Sequence, residues 1–276
     1  MKVSVIIPTY KPQFYLWECL DSLLKQTFPK ADFELILVLN GCCEPYRSDI
    51  NNYIVKKMEG MNVNFIQTDK GGVSNARNIA LDCVRGEYVT FVDDDDLVSP
   101  SYLEELYEKA SFDTVSLCYP YAFDDGHLQR QLQWDLTDTY NYCSINTANK
   151  ISSKVRKYFS GPCMKLIPMS YIQDRRYDVR FKNGEDTLFM FLISDKFSKF
   201  SFTSTEAVYY RRNRLGSAVN VKRSSYEIIK SNIFQIILYI KYYFSNPFKY
   251  NLHFFLTRIG GSLWGIYSGV LKKQNK

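Results

Sequence analysis

Histidine is nearly absent from this chain, with His127 and His253 the two copies, and none of its seven cysteines forms a CxxC pair. A zinc cluster is therefore not expected, because it needs soft ligands at tight spacing. An odd cysteine count, with Cys42 and Cys43 adjacent, reads as free thiols in a reducing compartment. Glycine (13) and proline (9) are too few for a fibrous or linker-rich chain. No uncharged apolar run reaches the roughly eighteen residues of a membrane-spanning helix. The run after Met1-Lys2, Val3 to Ile7, stops at Pro8 and is too short for a secretory signal. A cytoplasmic protein is expected.

What is present suits a folded domain. Of 276 residues, 46% are apolar and 23% charged, which excludes bulk disorder. The length allows one large or two modest domains with a core that needs no covalent staple. Aromatics reach 16%, with 22 Tyr and 19 Phe. The net charge of +6 is unevenly spread: residues 1–195 balance at −6, and residues 196–276 at +12, with Glu206 and Glu227 their only acids. A basic tail of this kind points to an anionic surface, lipid or nucleic acid.

Strand and helix signals alternate over the first hundred residues. Val3 to Pro8, Phe33 to Leu39, Val63 to Gln67 and Glu87 to Val92 read as strands. Residues 13–26 place Leu16, Leu20, Leu23 and Leu24 on one helical face. Ser74 to Val84 reads as a helix capped by Ser74, and Ser99-Pro100 as the cap and first turn of another, through Ala110. The alternation predicts a parallel sheet with right-handed crossovers, whose ligands bind at the strand carboxyl ends. Residues 111–170 are less regular. A helix is expected to start near Gly184, two short strands at 200–210, and helices at 225–245 and 252–271.

The chemistry concentrates in Phe91-Val-Asp93-Asp94-Asp95-Asp96-Leu97, a carboxylate run directly after a strand. Two unit charges 4 Å apart repel by about 4 kcal/mol near the protein surface. A solvated loop tolerates that; at a strand carboxyl end, a bound Mn2+ or Mg2+ relieves it, and such ions share their shell with substrate phosphates. Arg77 follows Gly71-Gly72 in a helix start suited to anions.

Ser4-Val-Ile-Ile-Pro-Thr-Tyr10, Gly72-Val-Ser-Asn-Ala-Arg-Asn78, Tyr88 to Leu97 and Gly184-Glu-Asp186 occur in the order found in family 2 glycosyltransferases, which this chain resembles over about residues 1–215. The resemblance implies a GT-A-type α/β fold, a Rossmann-like, mostly parallel sheet flanked by helices, and an inverting, metal-dependent transfer of a hexosyl or N-acetylhexosaminyl group from a nucleotide sugar. Pro8, Thr9 and Tyr10 would then line the nucleobase pocket, Arg77 would approach base or diphosphate, Asp93 or Asp94 would hold the ribose, and Asp95 the metal. Asn40 stands where the family usually has a carboxylate that holds base or ribose. Lys11 replaces a common asparagine. Asp186 matches the catalytic base, with Glu185 beside it. Cys163 to Leu166, with Lys165, resembles an acceptor-lining segment, and Arg211 and Arg212, in the stretch Tyr209 to Ser217, a segment that closes on the donor diphosphate. Trp134, Tyr140 and Tyr142 are candidates for stacking on sugars or for the core.

The organisation expected is a catalytic unit, residues 1–215, and a basic, aromatic-rich helical tail, residues 216–276. The tail helices either lie in a membrane interface or pack on the catalytic unit. The expected donor is a UDP-sugar and the acceptor a lipid-linked surface glycan, with the enzyme peripheral on the inner face of the plasma membrane and no nucleic acid partner. The rivals are metal-dependent phosphoryl transfer on Asp93 and Asp95, and a non-enzymatic membrane- or nucleic-acid-binding module.

Overall fold

The computed structural model describes residues 1–145, 151–152, 154–214 and 224–271. The chain runs β1 (Val3–Thr9), α1 (Phe14–Leu24), β2 (Phe33–Asn40), α2 (Tyr46–Lys57), β3 (Asn62–Thr68), α3 (Val73–Asp82), β4 (Tyr88–Phe91), β5 (Leu97–Val98) and α4 (Tyr102–Lys109). It continues with β6 (Thr114–Leu117), β7 (Tyr119–Asp124), β8 (Gln131–Leu132), α5 (Asp135–Ile145), β9 (Lys165–Pro168), α6 (Met169–Ile172), α7 (Glu185–Leu192), β10 (Lys199–Phe202), β11 (Val208–Asn213), α8 (Ser225–Ser245) and α9 (Leu252–Leu271).

Seven strands form the main sheet in the order β10-β6-β9-β4-β1-β2-β3. β4, β1, β2 and β3 are parallel, and β9 runs antiparallel to both β4 and β6. Every residue of β1 and β2 is buried. That is why these strands read as unbroken Val, Ile and Leu runs: helices cover both faces of a parallel sheet. One charged residue is tolerated there. Glu34 accepts from Ser4 Oγ at 2.6 Å and from the Arg85 backbone and guanidinium at 2.8 and 2.7 Å, so its charge is neutralised where β1, β2 and β4 meet.

A second sheet, β5-β11-β7-β8, lies beside the first. Its β5 is the chain directly after the acidic run, paired with Tyr209 and Tyr210 of β11. This pairing corrects the reading of Ser99 as a helix cap. The Ser99 hydroxyl donates to Glu206 O at 2.7 Å and accepts from Val208 N at 2.8 Å, so it joins β5 to β11, and α4 starts at Tyr102. Ser74, expected to cap α3, instead lies inside that helix, whose N-cap position is Gly72 at φ 120°. Helix α2 gave no periodic signal because Ile50 is its one buried residue.

Candidate active site

The carboxyl ends of β1, β2 and β4 converge, and close backbone approach makes this possible. Gly41, at φ +67°, sits so near Gly71 that an added Cβ would fall 2.8 Å from the Gly71 Cα. Asn40 locks the junction, with Nδ2 donating to Thr9 O at 2.7 Å and Oδ1 accepting from Gly72 N at 2.9 Å. At 4% exposure its amide is committed to backbone, which corrects the reading of Asn40 as a nucleotide contact. Pro8 and Thr9 are buried at the end of β1, and Tyr10 is exposed just beyond them. Lys11 places its ammonium 5.3 Å from the Tyr10 ring centre.

The acidic run divides into distinct environments. Asp96 is buried and accepts from Tyr209 Oη at 2.7 Å and Arg212 N at 2.8 Å, so it anchors β11. Burial and the neighbouring Asp95 hold its carboxyl well above the usual range. Asp94 accepts from the Thr9 hydroxyl, and burial raises it to about 7. Asp95 is raised by burial and then by Asp93, against the pull of Arg214, whose Nε donates to it at 2.7 Å. Asp93 accepts from Arg77 at 3.1 Å.

Arg77 also reaches Asp186, through its other terminal nitrogen, at 2.6 Å. Its side chain is 3% exposed and lies 5.4 Å from the Tyr177 ring centre, which stacks on Phe189 at 3.9 Å. Three separate segments are thereby joined: Asp93 after β4, Arg77 on α3 and, 109 positions after it, Asp186 at the start of α7. Burial pushes Asp186 up to about 7, with Arg77 pulling the other way. Glu185 is buried beside it with one carboxylate oxygen unpartnered.

The remaining sequence candidates fall elsewhere. Lys165 has no exposed surface, and its ammonium donates to Gly161 O at 2.7 Å and Cys163 O at 2.5 Å. Burial lowers it to about 8. It braces the segment before β9 and is not open to a diphosphate or acceptor. Arg212, also assigned to the diphosphate, is 6% exposed and bound to Glu18, Asp125 and the Asp95 carbonyl. Arg211 lies half-buried, 5.3 Å from the Trp134 ring centre. Tyr140 is buried and donates to Thr203 O, so it belongs to the core; Tyr142 is half-exposed beside Lys154. Within the stretch Tyr209 to Ser217, residues 215–217 lie outside the described residues. Arg214 is the arginine of this stretch whose guanidinium meets a carboxylate of the acidic run, that of Asp95. The two-residue strand period puts Arg212 and Arg211 on opposite sides of β11, and Arg214 follows directly after the strand end at Asn213.

Among the described residues no three His, Cys, Asp or Glu side chains converge as a metal cage. The donor set nevertheless fits a hard cation: Asp95 offers carboxylate oxygen, repelled by Asp93, and already holds one cationic group, Arg214. An ion there would complete its shell with water and donor phosphates. A 470 Å3 cavity lined by Glu18, Lys25, Phe123, Tyr210 and Arg212, among others, shares Arg212 with this region but none of Arg77, Asp93, Asp94, Asp95 or Asp186.

A parallel sheet ending in a carboxylate run, bridged by arginine to an aspartate on a later helix, defines a nucleotide-sugar-transferase architecture. The family model for "Glycosyl transferase family 2" matches residues 4–175, and the chain belongs to that family. The minor teichoic acid biosynthesis protein GgaB of Bacillus subtilis (strain 168) is 26% identical over 270 residues, which cover 90% of this chain and 29% of GgaB. The GalNAc(5)-diNAcBac-PP-undecaprenol beta-1,3-glucosyltransferase of Campylobacter jejuni is 27% identical over 197 residues, covering 71% of this chain and 60% of that protein. The chain therefore spans less than two thirds of each relative's length. The structure of S. aureus TarS 1–349 in complex with UDP-GlcNAc matches with TM-score 0.69 at 23% identity, covering 96% of this chain and 82% of that one. A mannosyltransferase from Pyrobaculum calidifontis in complex with GDP-Man and Mn2+ matches with TM-score 0.63 at 16% identity, covering 98% and 73%. The fold is GT-A, as in the TarS structure, and the relatives named here are a teichoic acid biosynthesis protein and a glucosyltransferase named for an undecaprenol-linked glycan.

Proposed function

We propose that this enzyme transfers a hexosyl or N-acetylhexosaminyl group from a UDP-sugar, with inversion, to a hydroxyl of a lipid-linked surface glycan. The observation that carries the reading is the Arg77 bridge, which sets the acceptor-side carboxylate of Asp186 one side chain away from the donor-side Asp93. Support for the donor and acceptor comes from relatives: UDP-GlcNAc is bound in the TarS structure, and the Campylobacter enzyme is named for an undecaprenol-linked acceptor.

In this mechanism Asp186 takes the proton of the acceptor hydroxyl as its oxygen bonds to the anomeric carbon. The bond from that carbon to the diphosphate breaks, and its electron pair leaves on the phosphate oxygen. A carboxylate near pKa 7 suits a base that works near neutral pH. Glu185 lies behind Asp186 and supports it. Tyr10, exposed just past β1, borders the nucleobase, with the buried Pro8 and Thr9 holding the strand end that presents it, and Asp93 and Asp94 face the ribose. Arg211 and Trp134 stand beside one another as an outlying pair that the bridge does not include. Asp95 would hold Mn2+ or Mg2+, which when bound neutralises charge on the leaving diphosphate. Arg214 pairs with one oxygen of Asp95 and its forked donors suit phosphate oxygens, so it would share the diphosphate with the ion. Residues 1–215 form the catalytic unit and residues 216–276 an accessory tail, with the enzyme on the cytoplasmic side of the membrane.

Hydrolysis of a panel of nucleotide sugars in Mn2+, without acceptor, tests the donor assignment. UDP-sugars should be consumed fastest, and Asp95→Ala should abolish the turnover. Equal loss of all nucleotide sugars, or none, would contradict it.

A further inference from the structure

Eleven of the twenty large apolar side chains exposed among the described residues lie between Tyr226 and Tyr267, so exposed apolar side chains are concentrated in one unit. That unit is the antiparallel pair α8 and α9. Asn232 packs on Gly265, Ile228 on Gly269, and Tyr243 stacks on Phe255 at 4.3 Å. The inner side of α8 is fully used. Phe234 stacks on Phe181 at 5.1 Å, Tyr239 donates to Thr187 Oγ1 at 3.2 Å, and Gln235 lies against Gly184. On α9, Phe254, Phe255 and Arg258 turn inward, with Arg258 donating to Phe159 O.

Among the described residues, the outer sides have no such partners in the catalytic unit. On α8, Tyr226, Ile233, Ile237, Ile240 and Phe244 recur at steps of three, four and seven, which makes a single stripe. On α9, Leu252, Leu256, Leu263 and Tyr267 recur at steps of four and seven, with Trp264 widening the stripe beside Leu263. Phe248, in the connection, is 99% exposed. Exposed apolar stripes along two neighbouring helices mark an interaction site.

Charge decides what it meets. Exposed Lys230, Lys241 and Lys249 belong to this unit, and its single acid, Glu227, is engaged with Ser224 in the capping box of α8. The sequence beyond α9 adds Lys272, Lys273 and Lys276. An apolar, aromatic stripe edged by lysines matches the boundary between acyl chains and anionic headgroups. A second copy of the same face would oppose lysine to lysine. Among the described residues, no helix is long and apolar enough to cross a membrane.

We propose that the outer face of the α8–α9 pair docks on an anionic lipid surface and lies in its interface without crossing it. The inner face then carries a consequence. Gln235 fills the space a side chain at Gly184 would take, its nitrogen 1.7 Å from the Cβ position, directly before Glu185 and Asp186. The base of the reaction is therefore held about one helix diameter, roughly 10 Å, from the lipid. This use of the surface rests on the transfer reading above; the docking itself does not.

The test is co-sedimentation of the full chain with phosphatidylcholine vesicles, with and without phosphatidylglycerol, over a range of salt. Binding should require the anionic lipid and weaken with salt. Ile237→Ser with Trp264→Ser, both on the outer face, should weaken it by roughly tenfold or more. Lys230→Glu with Lys241→Glu should weaken it roughly fivefold per residue. Melting temperature and UDP affinity should stay at the parent values in both variants, which separates docking from folding and from donor binding. A parent protein that ignores anionic vesicles, or variants that bind them equally well, would overturn the proposal. So would a parent dimer, dispersed by the serine variant, that does not sediment with vesicles.

Discussion

Asp186 is held by Arg77 at 2.6 Å, and the same guanidinium holds Asp93 at 3.1 Å. One buried arginine thus ties the start of α7 to the end of β4. Buried charges persist only when paired, and each carboxylate here keeps a partner that a ligand can replace. In the proposed reaction the bridge fixes where Asp186 points before any substrate arrives.

Arg77→Lys should expose this dependence. A lysine is a point charge on a flexible stem and does not span two carboxylates. Turnover should fall by roughly 10²-fold, the order expected from misplacing a reacting group by about 1 Å. The protein should still bind UDP. Steady-state kinetics with UDP calorimetry measures this, and a variant with parent turnover would remove the bridge from the mechanism.

The pH profile follows from Asp186. Burial raises it to about 7 and Arg77 lowers it, and the base acts only when deprotonated. Activity should therefore be lost as pH falls through about 7 and be retained above it. In Arg77→Lys the lowering influence weakens, so the acid limb should move to higher pH. A limb that stays put in the variant, or lies near pH 4, would contradict the assignment.

Neighbouring aspartates in the acidic run should behave in opposite ways. Asp96→Ala strands the Tyr209 hydroxyl and the Arg212 backbone N–H, at a cost of about 1–3 kcal/mol for each donor left buried and unpaired. Thermal melting should show a clear loss. Asp95→Ala removes an ion pair on a partly exposed side chain, so it should melt near the parent temperature while losing the metal-dependent part of its UDP affinity. Identical melting behaviour of the two variants would reject this division of roles.

The strands were legible in the sequence because β1 and β2 are buried on both faces, and a continuous Val-Ile-Leu run carries that information locally. Helices α8 and α9 were legible through length and composition. The differences came from side chains whose partners and burial the local sequence does not encode. Ser99 resembles a cap until Glu206 and Val208, more than a hundred residues on, take its hydroxyl. Asp93 and Asp96 are the same residue type in one run, and only the fold makes the second an anchor. Lys165 and Arg212 have the chemistry of ligand contacts, but their charged groups are turned onto backbone and internal carboxylates. Motif order located the site; which member faces a ligand depends on burial that the motif does not encode.

The central claim is that Asp186 is the base, and Asp186→Asn tests it most directly. The amide keeps the shape and can still meet Arg77 through its oxygen, but it takes no proton. Measured as sugar transfer to acceptor, turnover should fall by roughly 10²–10⁴-fold while UDP-sugar affinity stays near the parent value. Turnover within a few-fold of the parent would show that another group accepts the proton.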